Sequence, residues 1–171
     1  MGNQPTNNGE AVMITDVFSV VLFGHRDLSS YRKVEKRLFP ILHKLINTKP
    51  FSEVYIGRNG EFDIFAASIV KRAQRLYGNE NSELTLVLPY LQKDIEHYEK
   101  YYDNVIIPEC VENAHPKSAI TKRNRWMIEN CNLFICYVEN EHGGAYNCLK
   151  YARKLGKTII NLAADNDFDD E

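Results

Sequence analysis

Residues 17–24 run Val17-Phe18-Ser19-Val20-Val21-Leu22-Phe23-Gly24, and His25-Arg26-Asp27 follows. The run is β-branched and aromatic, and nearly continuous in apolar character rather than alternating. A strand of that kind is covered on both faces, the situation of a parallel sheet between helical layers. A helical pattern follows it over Leu28 to Ile46, with Val34, Leu38, Ile41, Leu42, Leu45 and Ile46 on one face. Ser29 and Ser30 are its candidate N-caps. Pro40 predicts a kink in this helix or a split into two.

The same grammar repeats to residue 163. Glu53–Ile56 predicts a second strand, ending at Gly57, and Glu61 to Tyr77 a helix closed by Gly78 and Asn79. Leu84–Leu88 is a third strand, Leu91 to Tyr102 a helix, and Val105–Ile107 a short strand before Pro108. Pro116 to Asn130 predicts a helix rich in Lys and Arg, and Leu133–Val138 a strong strand. Gly143-Gly144 opens a last helix to Leu155, and Thr158–Leu162 is the final strand. Strands alternating with helices imply an α/β, Rossmann-like three-layer sandwich with a mostly parallel sheet and right-handed crossovers.

At 171 residues the chain is one domain's worth, with 44% hydrophobic and 26% charged residues, which excludes a disordered protein. No apolar run approaches the roughly 18 residues of a membrane span. Residues 1–16 read as a flexible polar leader without a secretory pattern. Gly2 and Thr6 match the spacing of a myristoylation site, but a plain leader is the simpler reading. Residues 164–171 read as an acidic, disordered tail. The net charge is −2, and five of the last seven residues are acidic. Residues 1–164 therefore hold 21 basic against 18 acidic residues, or +3. That mild basicity suits a phosphate-bearing small ligand and falls short of what duplex nucleic acid demands. Cys110, Cys131, Cys136 and Cys148 form no CxxC pair and no zinc spacing, so a reduced cytoplasmic protein without a structural metal is expected.

The polar and glycine-bearing segments fall after strands, where open α/β sheets bind ligands. Gly24 admits close backbone approach, and Arg26 can fork onto phosphate or pair with an acidic neighbour such as Asp63. His25 beside it is either a ligand contact or a solvated loop residue. Gly57-Arg58-Asn59-Gly60 is a turn into a helix N-terminus, which favours anions. Glu61 and Asp63 in that first turn either complement the helix dipole or face a ribose; Glu61 is the tentative catalytic carboxylate for N-glycosidic cleavage. Pro89-Tyr90 and the pair Gly143-Gly144 complete the set. Tyr90, Tyr98, Tyr101 and Tyr102 read either as a lid or dimer face, hence a homo-oligomer, or as a partly buried helix stripe. No Walker A, HExxH or Ser-His-Asp order is present.

At these residues the sequence resembles the SLOG superfamily. This Rossmann-like group includes the DNA-processing protein A domain and the Lonely-guy hydrolases. It is most similar to the small stand-alone Firmicute members, whose prototype is a cell-division-associated protein. The segments that carry the likeness are Phe23–Arg26, Gly57–Ala67, Val87–Tyr90, Arg123–Ile128, and Gly143–Asn147 with Tyr151-Ala152 and Gly156-Lys157. The resemblance implies a nucleotide, nucleotide derivative or nucleic acid as ligand, places Asn124 and Arg125 in the pocket, and lets Tyr146 and Asn147 meet a base. Trp126 and Met127 are expected in the core, and Lys117 and Lys122 on a solvated face or at the ligand. The Lonely-guy pattern Pro-Gly-Gly-x-Gly-Thr-x-x-Glu is broken by His142, Tyr146, Asn147 and Lys150. The glutamate tied to hydrolysis there is missing, so a ligand-binding sensor ranks above an N-glycosidase, and single-stranded nucleic-acid binding ranks third. No cofactor is implied, and the partner is a nucleotide-like small molecule.

Overall fold

The computed structural model describes residues 16–78 and 80–165. The expected leader up to residue 15, the myristoylation-like spacing, Asn79 and the tail from residue 166 lie outside them. Six strands form one parallel sheet: β1 (Val17–Gly24), β2 (Phe51–Ile56), β3 (Ser82–Val87), β4 (Asn104–Ile106), β5 (Leu133–Tyr137) and β6 (Thr158–Asn161). The strand order is β4-β3-β2-β1-β5-β6, with every neighbouring pair parallel. The chain reverses direction of travel across the sheet between β1 and β5, so this is the topological switch point.

Five helices cover the sheet: α1 (Tyr31–Thr48), α2 (Glu61–Tyr77), α3 (Ile95–Tyr101), α4 (Pro116–Glu129) and α5 (Gly144–Lys154). On one face Val20, Leu22, Val54, Ile56, Leu84 and Leu86 pack against the stripes of α1 and α2. On the other, Val21, Phe23, Tyr55, Phe134 and Cys136 pack against Met127 and Ile128 of α4 and Leu149 of α5. Alternate residues of β1 thus feed two cores, which is why the strand needs apolar side chains on both faces.

Local chemistry sets the helix ends. Ser30 caps α1 by accepting the Lys33 N–H at 3.2 Å. Pro40 lies inside α1 on its exposed side, and the helix runs through it as one element. The bond that proline removes is outweighed by Leu38, Leu42 and Leu45, buried on both sides of it. Gly78 closes α2 with φ +100°, and its N–H donates to the Gln74 carbonyl at 2.8 Å. Pro116 opens α4 at its first position. The helix expected from Leu91 begins only at Ile95, since Leu91 is exposed and has no core to pack on. A 3₁₀ turn, Glu109–Val111, has no counterpart in the sequence reading. Met127 lies in the second core as expected, and Trp126 is half-buried against it. After β6, the Lys33 ammonium binds the Ala163 carbonyl at 2.8 Å and the Asp165 carboxylate at 3.0 Å, tying residues 163–165 to α1.

Glycine is required where β1 meets α2. A Cβ at Gly24 would sit 2.1 Å from Cγ of Phe62, a fully buried ring. Gly24→Ala should cost about 1–3 kcal/mol of stability, the usual penalty for overpacking. Urea denaturation of the wild type and variant measures it, and equal midpoints would contradict this packing.

Candidate functional site

A cavity of about 570 Å³ opens at the carboxyl ends of the strands, over the β1/β5 switch point. Its size lies in the range of small-molecule sites. Five chain segments build it, and contacts among the segments fix its shape.

The first junction joins the β1–α1 and β2–α2 loops. The Glu61 N–H donates to the Arg26 carbonyl at 2.8 Å, and a Glu61 carboxylate oxygen accepts the Leu28 N–H at 2.8 Å. Gly60 makes this fit possible: a Cβ there would lie 2.5 Å from Cα of Arg26. The Arg26 guanidinium donates from Nε to the Asn59 carbonyl at 3.3 Å, rather than pairing with Asp63. Asp63 instead accepts the Asn59 N–H at 2.8 Å.

The second junction joins the β1–α1 loop to the β5–α5 loop. Nε2 of His25 accepts the N–H groups of Glu139 at 3.0 Å and Asn140 at 3.2 Å. An imidazole nitrogen that accepts is unprotonated, so the proton resides on Nδ1 in this arrangement. Ser29 and Tyr137 both hydrogen-bond the Glu139 carboxylate, at 2.7 and 3.0 Å. The loop leads to Gly143, at φ +88°, and the N-terminus of α5; added Cβ atoms at Gly143 and Gly144 would meet nothing within 4 Å. Two helix N-termini, those of α2 and α5, therefore flank the cavity, each biasing it towards negative charge.

The floor holds two buried charges. Arg123, only 2% exposed, comes from α4 and donates from Nη1 to the Val87 carbonyl at 2.6 Å and from Nε to Asn124 at 2.8 Å. Asp63, 8% exposed, faces it from α2. Burial pushes the Asp63 carboxyl up to about 6, against the downward pull of the Asn59 N–H and the Arg123 charge. Burial likewise lowers the Arg123 pKa, and the Asp63 charge opposes the change. Gly57 leaves room for this pair, since a Cβ there would lie 3.0 Å from Nη1 of Arg123.

The structure brings Gly24, His25, Arg26, Gly57, Asn59, Gly60, Asp63, Asn124, Gly143 and Gly144 to this cavity. It turns the other predicted site residues elsewhere. Glu61 holds the Leu28 amide. Arg58 donates to the Tyr102 hydroxyl at 3.3 Å and lies over the Tyr98 ring. Arg125 lies over the Tyr151 ring, and Tyr146 carries the Lys150 ammonium on its face. Asn147 continues α5 through its N–H bond to Gly143, and Pro89 is buried beside the rim. Lys117 and Lys122 are exposed. Sequence reasoning set Arg123 aside in favour of its neighbours Asn124 and Arg125. A signal was present: Ala119, Arg123 and Met127 are spaced by four, and the outer two are buried, so Arg123 points inward. Tyr90, Ile120, Asn140 and His142 also line the cavity.

Cys148 lies at the cavity edge, but burial pushes its thiol, like that of Cys136, up to about 12, which leaves no thiolate for nucleophilic work. Among the described residues, no group of three or more His, Cys, Asp or Glu is placed to hold a metal ion, and no helix is long and apolar enough to cross a membrane.

A parallel sheet with helices on both faces and a crevice at its switch point defines a Rossmann-like α/β domain. The same fold occurs in DNA processing protein A. The Streptococcus pneumoniae structure superposes with a TM-score of 0.60 at 16% identity, covering 84% of this chain and 49% of that one. The Helicobacter pylori structure, described for its single-stranded DNA binding mode, gives 0.59 at 15% identity, covering 84% of this chain and 64% of that one. The chain thus spans about half of the first and under two thirds of the second, and identities this low establish the fold alone. No protein-family model and no curated protein matches the sequence.

The raised Asp63 carboxyl makes stability depend on pH. The folded state keeps a proton that the unfolded state releases near 3.8, so this contribution is full below about pH 4 and is lost as pH rises through about 6. Asp63→Asn should flatten the fall in stability between those values. Denaturation midpoints of both proteins across this range test it; parallel curves would show that Asp63 titrates normally.

Proposed function

We propose that this chain is a binding module for a nucleotide or nucleotide derivative, held at the cavity over the β1/β5 switch point. One observation carries the reading: the N-termini of α2 and α5 and the Arg26 guanidinium converge on a cavity whose floor is the Asp63–Arg123 pair. The start of α5 at Gly143 and Gly144 suits a phosphate, because the first N–H groups of a helix have no intrahelical partner and act together with its dipole. The Asp63 carboxylate and Asn59 suit ribose hydroxyls, to which they offer acceptors. Arg26, exposed and on a loop, adds a forked donor to phosphate.

The N-glycosidase reading loses support from the placement of Glu61, whose carboxylate is engaged with the Leu28 amide rather than aimed into the cavity. A second reading, single-stranded nucleic acid, is favoured by the Helicobacter pylori neighbour's DNA binding. The mild charge of the chain weighs against it.

Titration calorimetry with the four ribonucleoside monophosphates and an oligodeoxythymidine tests these readings. Saturable binding of a monophosphate is expected. An oligonucleotide that binds without competition from any monophosphate would promote the strand reading, and no binding of either would overturn both. Arg26→Ala should weaken the monophosphate about 10- to 100-fold, the worth of a charge-assisted hydrogen bond, and leave the matching nucleoside nearly unchanged. Equal losses for the two would show that Arg26 does not meet phosphate.

A further inference from the structure

The cavity extends across the strand ends from the loop after β3 to the loop after β5, with β2 and β1 between them. At the α5 end Gly143 and Gly144 contribute no side chain and leave open space, flanked by the polar Asn140 and His142. At the other end it is lined by two large, solvent-exposed hydrophobic residues. Tyr90, 44% exposed, comes from the loop after β3, and Ile120, 37% exposed, from α4. Tyr90 follows β3, whose Val87 carbonyl accepts from Arg123, and Ile120 precedes Arg123 by three residues, one helical turn along α4. Other exposed large hydrophobics of the described chain, such as Ile64, Leu76 and Leu155, do not line this cavity. Tyr98 and Tyr101 each pack edge-on against Tyr102, whereas the Tyr90 ring has no such aromatic neighbour among the described residues. An aromatic ring and a branched aliphatic chain left in water within a cavity that also carries polar and charged groups offer a flat apolar group a surface to cover.

We infer that Tyr90 and Ile120 form the base-binding end of the site, with the nucleobase stacked on the Tyr90 ring and its other face against Ile120. This rests on the nucleotide reading above and adds which group of the ligand goes where. The base lies over Tyr90 and Ile120, the ribose crosses the Asp63 floor, and the phosphate reaches Gly143-Gly144. Stacking uses the π-face that every base shares, so the clamp tolerates different bases. A sugar phosphate has no such face, so it binds through its ribose and phosphate alone and gains nothing from the clamp.

The test compares a ribonucleoside monophosphate bound by the wild type with ribose 5-phosphate, by calorimetry, on Tyr90→Ala, Tyr90→Phe and Ile120→Ala. Both positions are surface-exposed, so the fold tolerates these changes, and a thermal melt verifies it. Tyr90→Ala should weaken the monophosphate by about tenfold or more, in the range of base–aromatic stacking, and leave ribose 5-phosphate unchanged. Tyr90→Phe should keep wild-type affinity, and Ile120→Ala should give a smaller loss with the same selectivity. A wild type that binds a monophosphate while Tyr90→Ala binds it equally well, or loses both ligands alike, overturns the clamp and leaves the nucleotide reading standing. A wild type that binds no monophosphate overturns both.

Discussion

The geometry of the site depends on one close backbone approach. The β1–α1 and β2–α2 loops touch at Arg26 and Gly60, where a single added carbon would collide with backbone. Two hydrogen bonds through Glu61, one from its N–H and one to its carboxylate, lock the loops together. With the loops so held, the N-terminus of α2 and the Arg26 side chain face one cavity. Glu61 thus acts as a clamp on the Leu28 amide. A carboxylate at the first helical turn is the expected partner of a helix dipole, yet here its oxygen serves a neighbouring loop instead.

The opposite layer is tied to this junction by Arg123. A guanidinium so deeply buried is costly unless its donors are occupied and a counter-charge is near. Val87, Asn124 and Asp63 meet those needs from β3, α4 and α2. Arg123 comes from a helix on one face of the sheet and Asp63 from a helix on the other, and Gly57 leaves room for the guanidinium. His25 performs a similar duty for the β5–α5 loop, as an acceptor for two backbone amides. Removing either anchor would free a wall of the cavity, and this gives both residues structural duties alongside any contact with ligand.

The strand and helix pattern was legible because burial on both faces imposes it on the sequence. β1 and β5 are near-continuous apolar runs, and α2 keeps a single stripe from Phe62 to Ala73 between Gly60 and Gly78. Ends were less legible: α1, β2 and β3 begin two or three residues from where the pattern put them, and α3, which has no fully buried residue, begins four residues late. Pro40 illustrates the reverse case, where a strong local breaker is overruled by apolar side chains packed on either side of it.

The sequence by itself determined the order of elements, the parallel class of the sheet, and the placement of Gly24, Gly57, Gly60, Gly143 and Gly144 at strand ends. These follow from local rules: periodicity, caps, and the need for glycine where chains crowd or φ is positive. Only the tertiary structure decided which polar side chains at those ends face the cavity. Glu61 and Asp63 are two residues apart on one helix turn, so they point to different sides, one to a loop and one to the floor. Arg123 and Arg125 separate in the same way, one towards the second core and one onto the Tyr151 ring. Composition and spacing leave such neighbours chemically alike. Their different fates come from long-range partners, Leu28 for Glu61 and Val87 for Arg123, that become neighbours only when the sheet closes.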